Sequence, residues 1–223
     1  MKKATQAPRK NGAGFSSITK GGEYMAQWRW LRHASLAVVS LVGLGLLAGC
    51  DVLGAIGLSA SKNPPFKNEL GLMVVTPSSS LNPQMAQTDI YTHVSVLTAT
   101  GNKVILNAKN RPLLFEAYWC PHCQRTLVAL NKNKSQLKRL PVLVSEGFVP
   151  GTTLAQAIQL TRQEFSYFHL SDFQVYYIVN SHEVSKNAPN GFPTLAFMSQ
   201  GQMLTLTGEH TLSVWKEALN QAK

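Results

Sequence analysis

The chain has 223 residues, 44% of them hydrophobic and 14% charged, with a formal net charge of +10. That suffices for one domain of ordinary size with a buried core and extensions. Seven Lys/Arg and one Glu fall in residues 1–50, so the other 173 residues carry only 14 basic against 10 acidic side chains. No basic stripe interleaved with aromatics occurs there, which argues against nucleic acid as a partner.

Residues 1–24 are polar and rich in Lys, Gly and Ser. They read either as an extension ahead of a true translation start at Met25 or as a disordered segment. Residues 25–49 have the layout of a secretory signal peptide: Arg29 and Arg32, then an apolar stretch over 34–47, then small residues. Leu47-Ala48-Gly49-Cys50 resembles a bacterial lipobox, which implies cleavage before Cys50 and acylation of that cysteine. The membrane would then be reached through a lipid anchor on the outer face of the cytoplasmic membrane. An uncleaved span is the weaker reading. The apolar run of 16 residues (34–49) ends at Asp51, whereas a bilayer needs about 20. Residues 50–90, with Asn63-Pro64-Pro65, Thr76-Pro77 and a run of three serines from Ser78, read as a flexible tether with one short ordered piece near 72–75.

From residue 91 the pattern becomes that of a folded domain. "HVSVLTATGNKVILNA" (93–108) predicts a hairpin, and "RPLLFEAYW" (111–119) a buried strand. Pro121 suits the first turn of a helix, which Leu127, Leu130 and Leu137 continue; the Lys/Arg residues over 125–139 read as its solvated face. "LPVLVSEGF" (140–148) predicts a second strand. Residues 152–168 place Leu154, Ile158, Thr161, Phe165 and Phe168 on one helical face. "FQVYYIVN" (173–180) predicts another strand, "TLAFMSQGQMLTL" (194–206) a hairpin around Gly201, and residues 212–221 a closing helix.

The chemistry concentrates in Trp119-Cys120-Pro121-His122-Cys123. With Cys50 set aside, only Cys120 and Cys123 remain to pair. A crosslink across so few residues restrains little chain entropy. A zinc site needs about four ligands, and His93, His169, His182 and His210 are scattered without ligand spacing. No metal or other cofactor is therefore expected, and the pair reads as a redox-active disulfide. At a helix N-terminus the unpaired N–H groups and the helix dipole stabilise an anion. Cys120 is thus expected as the attacking thiolate and Cys123 as the residue that resolves a mixed disulfide.

"WCPHC" together with "GFPTLAF" (191–197) resembles the thioredoxin-fold thiol–disulfide oxidoreductases over roughly residues 91–223. The Cys-Pro-His-Cys sequence resembles the DsbA-type oxidases, and the framework with its N-terminal hairpin is similar to the membrane-tethered TlpA/ResA-like group. The resemblance implies an α/β fold, a central mixed sheet flanked by helices, and a cis peptide before Pro193. It further implies a substrate-facing rim of Phe192, Pro193, Thr194 and Trp119, although Trp119 and Tyr118 also read as packing. Thioredoxins commonly carry an acid six residues before the first cysteine; here that position is Leu114. Glu116, on the same side of an alternating strand, is either a substitute proton acceptor with its acidity weakened by burial or a strand-end glutamate in water.

Pro121, His122 and Glu116 are thus the residues expected to tune the pair. His122 and the helix dipole favour the reduced form, and hence an oxidase acting on exported thiol-containing proteins and recharged by a membrane redox partner. The framework favours the alternative, a reductase serving cytochrome or metal-centre thiols. A copper carrier using Cys120, Cys123 and a histidine is the non-enzymatic alternative.

Overall fold

The computed structural model describes residues 63–179, 186–188 and 190–222. The expected extension (1–24), signal peptide (25–49), acylated Cys50, the tether as far as residue 62, and His182 lie outside the described residues.

Among the described residues, eight strands form one mixed sheet; in spatial order they are Gln84–Met85 (β1), Gln202–Thr207 (β8), Thr194–Ser199 (β7), Leu113–Glu116 (β4), Val142–Ser145 (β5), Val175–Tyr177 (β6), Val94–Leu97 (β2) and Lys103–Leu106 (β3). Its centre is β4 (Leu113–Glu116), parallel to β5 (Val142–Ser145) and antiparallel to β7 (Thr194–Ser199). Alternation along β4 divides the core. Leu113 and Phe115 join Val142, Val144 and Ala196 in one cluster, while Leu114 packs with Leu127, Leu143, Phe197 and Trp215 in another. Helices α2 (Pro121–Lys132) and α4 (Leu212–Gln221) cover the Leu114 side and supply Leu127, Leu130, Trp215 and Leu219 to it. Helix α3 (Leu154–Phe168) begins in a reciprocal cap in which Thr153 and Gln156 bond each other's backbone N–H. Strand β6 (Val175–Tyr177) extends the sheet beside β5, and β7 turns into β8 (Gln202–Thr207) through Gln200 and Gly201, both at positive φ. The result is the thioredoxin-like α/β fold, a mixed sheet flanked by helices.

Each edge of the sheet carries an addition. The hairpin β2 (Val94–Leu97) and β3 (Lys103–Leu106) joins β6 through the pair Leu97–Tyr177. At the other edge the short strand β1 (Gln84–Met85) pairs with β8 and leads into α1 (Thr88–Thr92).

The residues expected as flexible tether depart from that expectation from Asn63 onward. Asn63 donates to the Thr152 hydroxyl at 2.6 Å and accepts from the Val149 N–H at 3.0 Å. The Phe66 ring meets Tyr167 and Phe168. The buried Gln124 side chain accepts from the Glu69 N–H at 2.8 Å and donates to the Lys67 and Tyr118 carbonyls, both at 2.9 Å. Ser78 pairs main chain with the segment around His210. Leu72, Met73, Val74 and Val75, where a short ordered piece was expected, belong to no strand and are exposed. Beyond Phe66 the strap is held largely by polar side chains of α2 bonding its backbone, so apolar patterning carries little trace of it.

Helix α2 itself ends at Lys132, and a single 3-10 turn (Lys134–Gln136) carries the chain toward Leu137. Its basic residues are not all solvated, since Arg125 is largely buried in an ion pair with Glu209. Gln124→Leu strands the Glu69 N–H and two carbonyls without partners, and should lower unfolding stability by about 1–3 kcal/mol. The urea midpoint measures this; an unchanged midpoint would show that the strap lies outside the cooperative fold.

Candidate active site

Strand β4 ends at Glu116, and the chain reaches Cys120 through Ala117, Tyr118 and Trp119 before α2 begins at Pro121. Proline at the first helical position has no N–H to leave unpaired there. Cys120 is the N-cap residue, in extended conformation, and its sulfur accepts the Cys123 N–H at 3.4 Å. The capping position normally held by a Ser or Asp oxygen is therefore held by a thiol sulfur. Cys120 is 5% exposed and Cys123 fully buried.

Their environments drive the two thiols apart. The Cys120 thiol is lowered to about 7, chiefly by hydrogen bonding from the Cys123 side chain and against the cost of burial; the backbone N–H groups of Cys123 and His122 and the His122 charge add to it. The Cys123 thiol is pushed well above its ordinary value by burial first, then by its hydrogen bond to Cys120 and by the charges of Cys120 and Glu116. Near neutral pH one sulfur can thus exist as thiolate while the other stays protonated.

Glu116 lies beneath the pair, fully buried, so the reading of a strand-end glutamate in water does not hold. Burial pushes its carboxyl up to about 7, the nearby Ser145 hydroxyl works against this, and the charge of Cys120 adds to it; neither carboxyl oxygen has a hydrogen-bond partner among the described residues. Glu164 of α3, also fully buried, is pushed well above its ordinary value by burial and by the charges of Glu116 and Cys120. The Ser145 hydroxyl lies 3.2 Å from that of Thr161, a polar contact that links β5 to α3.

Across the pair, the Phe192–Pro193 bond is cis, and the Phe192 carbonyl lies 3.8 Å from the Cys120 sulfur. The Phe192 ring packs on Ala117 and the two cysteines and meets Trp119 edge-on at 6.2 Å. Trp119 is 42% exposed, and its indole N–H donates to the Gly147 carbonyl at 2.8 Å. Gly147 has φ +75°, and a Cβ there would come within 3.0 Å of Ala117 and 3.2 Å of Phe192. Only glycine fits that approach. Thr194 differs from expectation: it is buried, and its hydroxyl donates to the Gly191 carbonyl at 2.7 Å beside the Thr207 hydroxyl. Its side chain braces the loop and does not line an open rim.

Sequence reasoning missed the partners of His122. Its Nδ1 lies 3.0 Å from Glu209 Oε2 and 2.9 Å from Arg125 Nη2. Arg125 Nε bonds both Glu209 oxygens, and its two terminal nitrogens bond the carbonyls of Leu70, Leu72 and Met73. The i, i+3 spacing of His122 and Arg125 places them on one helix face, but nothing in the sequence points to Glu209. Among the described residues no group of His, Cys, Asp and Glu side chains could hold a metal ion.

No family model matches this chain, and no curated protein matches it. Solved structures do. MTB dsbF, in its mixed oxidized and reduced forms, is 17% identical with a TM-score of 0.43, covering 59% of this chain and 96% of its own. StoA from Bacillus subtilis is 18% identical with a TM-score of 0.39, covering 63% and 98%. A thio-disulfide isomerase from Thermus thermophilus is 14% identical with a TM-score of 0.41, covering 67% and 99%. At this level the likeness says nothing about chemistry.

The weakened acidity of Glu116 has a signed consequence. An acid whose folded pKa is raised opposes folding where the unfolded chain would ionise it. For Glu116 that penalty is absent below its ordinary 4.5, grows between 4.5 and about 7, and is full above. Relative to the native protein, Glu116→Gln should therefore gain stability as pH rises from about 5 to about 8. Unfolding titrations across that range check it, and a pH-independent difference would contradict the burial argument.

Proposed function

We propose that this protein is a thiol–disulfide oxidoreductase that passes the Cys120–Cys123 disulfide to exported thiol-containing proteins. The observation that carries the reading is the placement of the two thiols: the Cys120 sulfur caps α2 and accepts the Cys123 N–H at 3.4 Å, while Cys123 is fully buried, which lowers Cys120 to about 7 and raises Cys123. A client thiolate attacks the Cys120 sulfur, the bond to Cys123 breaks, and the departing Cys123 sulfur takes a proton, for which Glu116 is the buried acid whose charge acts on Cys123. A second client thiolate then displaces Cys120, which leaves as thiolate. The client gains a disulfide, and two electrons remain on the enzyme. An extended client can pair with the backbone at Phe192 while its sulfur meets Cys120, with the Phe192 and Trp119 rings as the apolar wall.

The lipobox reading assigns Cys50 as the acylated residue and places this chemistry at the outer face of the cytoplasmic membrane, beside a membrane redox partner that restores the disulfide. Acyl chains contribute about 0.8 kcal/mol of membrane affinity per buried CH₂. Whatever stabilises the reduced form makes the disulfide a stronger oxidant, and the helix N-terminus and His122 both act on the Cys120 thiolate.

One observation favours the reductase alternative. A first cysteine near 7 matches thioredoxin's, about 7, better than DsbA's, about 3.5. The reduction potential of the domain separates the two. The oxidase reading expects a value nearer DsbA's, about −120 mV, and a value near thioredoxin's, about −270 mV, would replace it with the reductase.

A further inference from the structure

His122 Nδ1 faces two groups with incompatible demands. Glu209 Oε2, at 3.0 Å, needs a proton on that nitrogen, whereas Arg125 Nη2, at 2.9 Å, needs its lone pair. Both partners are fixed from elsewhere. Arg125 Nε grips both oxygens of Glu209 at 3.0 and 2.9 Å, and its terminal nitrogens are held by the Leu70, Leu72 and Met73 carbonyls. The Glu209 side chain is only 7% exposed and that of His122 21%. A single ring nitrogen thus chooses between an anion and a cation, on the residue next to Cys123 and two from Cys120. Among the described residues, those two groups and Cys120 are the charged or titratable groups seen to interact with His122; the strap meets Arg125 through main-chain carbonyls, and its Glu69 acts on Tyr118.

We propose that Glu209 is a positioning residue that sets the redox poise of Cys120 by holding His122 in its protonated form against Arg125. The proposal rests on Cys120 and Cys123 being the exchanging pair. When two client thiols reduce the disulfide, the client keeps a disulfide and gives up two electrons and two protons. Cys120 remains as thiolate, Cys123 takes one proton, and the other goes to His122 Nδ1, which then donates to Glu209. In the disulfide state Nδ1 is free of that proton and accepts from Arg125. Glu209 thereby supports the reduced form, and Arg125 opposes it.

The signs make the idea testable. Acting directly on the thiolate, an anion would disfavour it and a cation favour it; acting through His122, both effects reverse. Glu209→Gln should raise the pH of the Cys120 thiolate transition, followed by absorbance at 240 nm. It should also lower the equilibrium constant for oxidising glutathione about tenfold, or about 30 mV for this two-electron couple. Arg125→Gln should shift both readouts the opposite way. Arg125→Lys, which keeps the charge, should stay near the native values and report on loss of the strap contacts alone. In a His122→Ala background the shifts should disappear. Shifts of the same sign for Glu209→Gln and Arg125→Gln, or shifts that survive without His122, would overturn the proposal. The thiolate transition needs no exchange activity. Opposed shifts in a protein inert toward glutathione would uphold the role of Glu209 while refuting the proposed function.

Discussion

The contact between the Cys123 N–H and the Cys120 sulfur, 3.4 Å long, organises the rest of the site. It exists because Pro121 starts a helix where β4 has delivered the chain to the top of the sheet, leaving Cys120 as the cap. A capping sulfur accepts the N–H better as an anion than as a thiol, so one local bond serves the helix and the nucleophile together. The same geometry buries Cys123 one turn later under Ala117 and Phe192, where a charge would be costly. Helix geometry alone thus assigns the two sulfurs different chemistry.

Around that bond, buried acids and paired charges are arranged on opposite sides. Glu116 and Glu164 sit inside, each weakened as an acid chiefly by burial, each feeling the charge of Cys120. Neither can ionise cheaply while Cys120 is a thiolate, so protons and sulfur charge are coupled beneath the pair. On the outer side, His122, Glu209 and Arg125 form a compact charged group that ties α2 to the turn after β8 and to the strap. Exposed Leu72, Met73, Val74 and Val75 lie next to that group, so the most apolar part of the strap is displayed beside the reactive helix.

Much of this was legible in the sequence, for identifiable reasons. Two-residue alternation and short apolar runs locate β4, β5, β7 and β8 because those strands are buried and their side chains must be apolar. Leu212–Gln221 is recovered as a helix because Val214, Trp215, Ala218 and Leu219 repeat at helical spacing. Cys120, Cys123 and the proline of the opposing loop are legible because their chemistry is local to two short motifs. What was hidden depends on side chains meeting far from one another in sequence. Gln124 and Arg125 look like residues of a solvated helix face, yet they bond a strap more than fifty residues earlier in the chain. Glu209, eighty-seven residues from His122, is an ordinary turn acid until the fold brings it there. Thr194 was misplaced because a motif fixes its backbone position but not the direction of its hydroxyl.

The central claim, that Cys120 and not Cys123 is the accessible thiolate of the pair, is most directly tested by alkylating the reduced protein with iodoacetamide across pH and locating the modified cysteine by mass spectrometry. The account predicts that, within the pair, modification falls on Cys120, rising through a midpoint near 7, with Cys123 protected until the protein unfolds. Labelling of Cys123 first, or a midpoint for Cys120 at the ordinary thiol value of about 8.5, would contradict it.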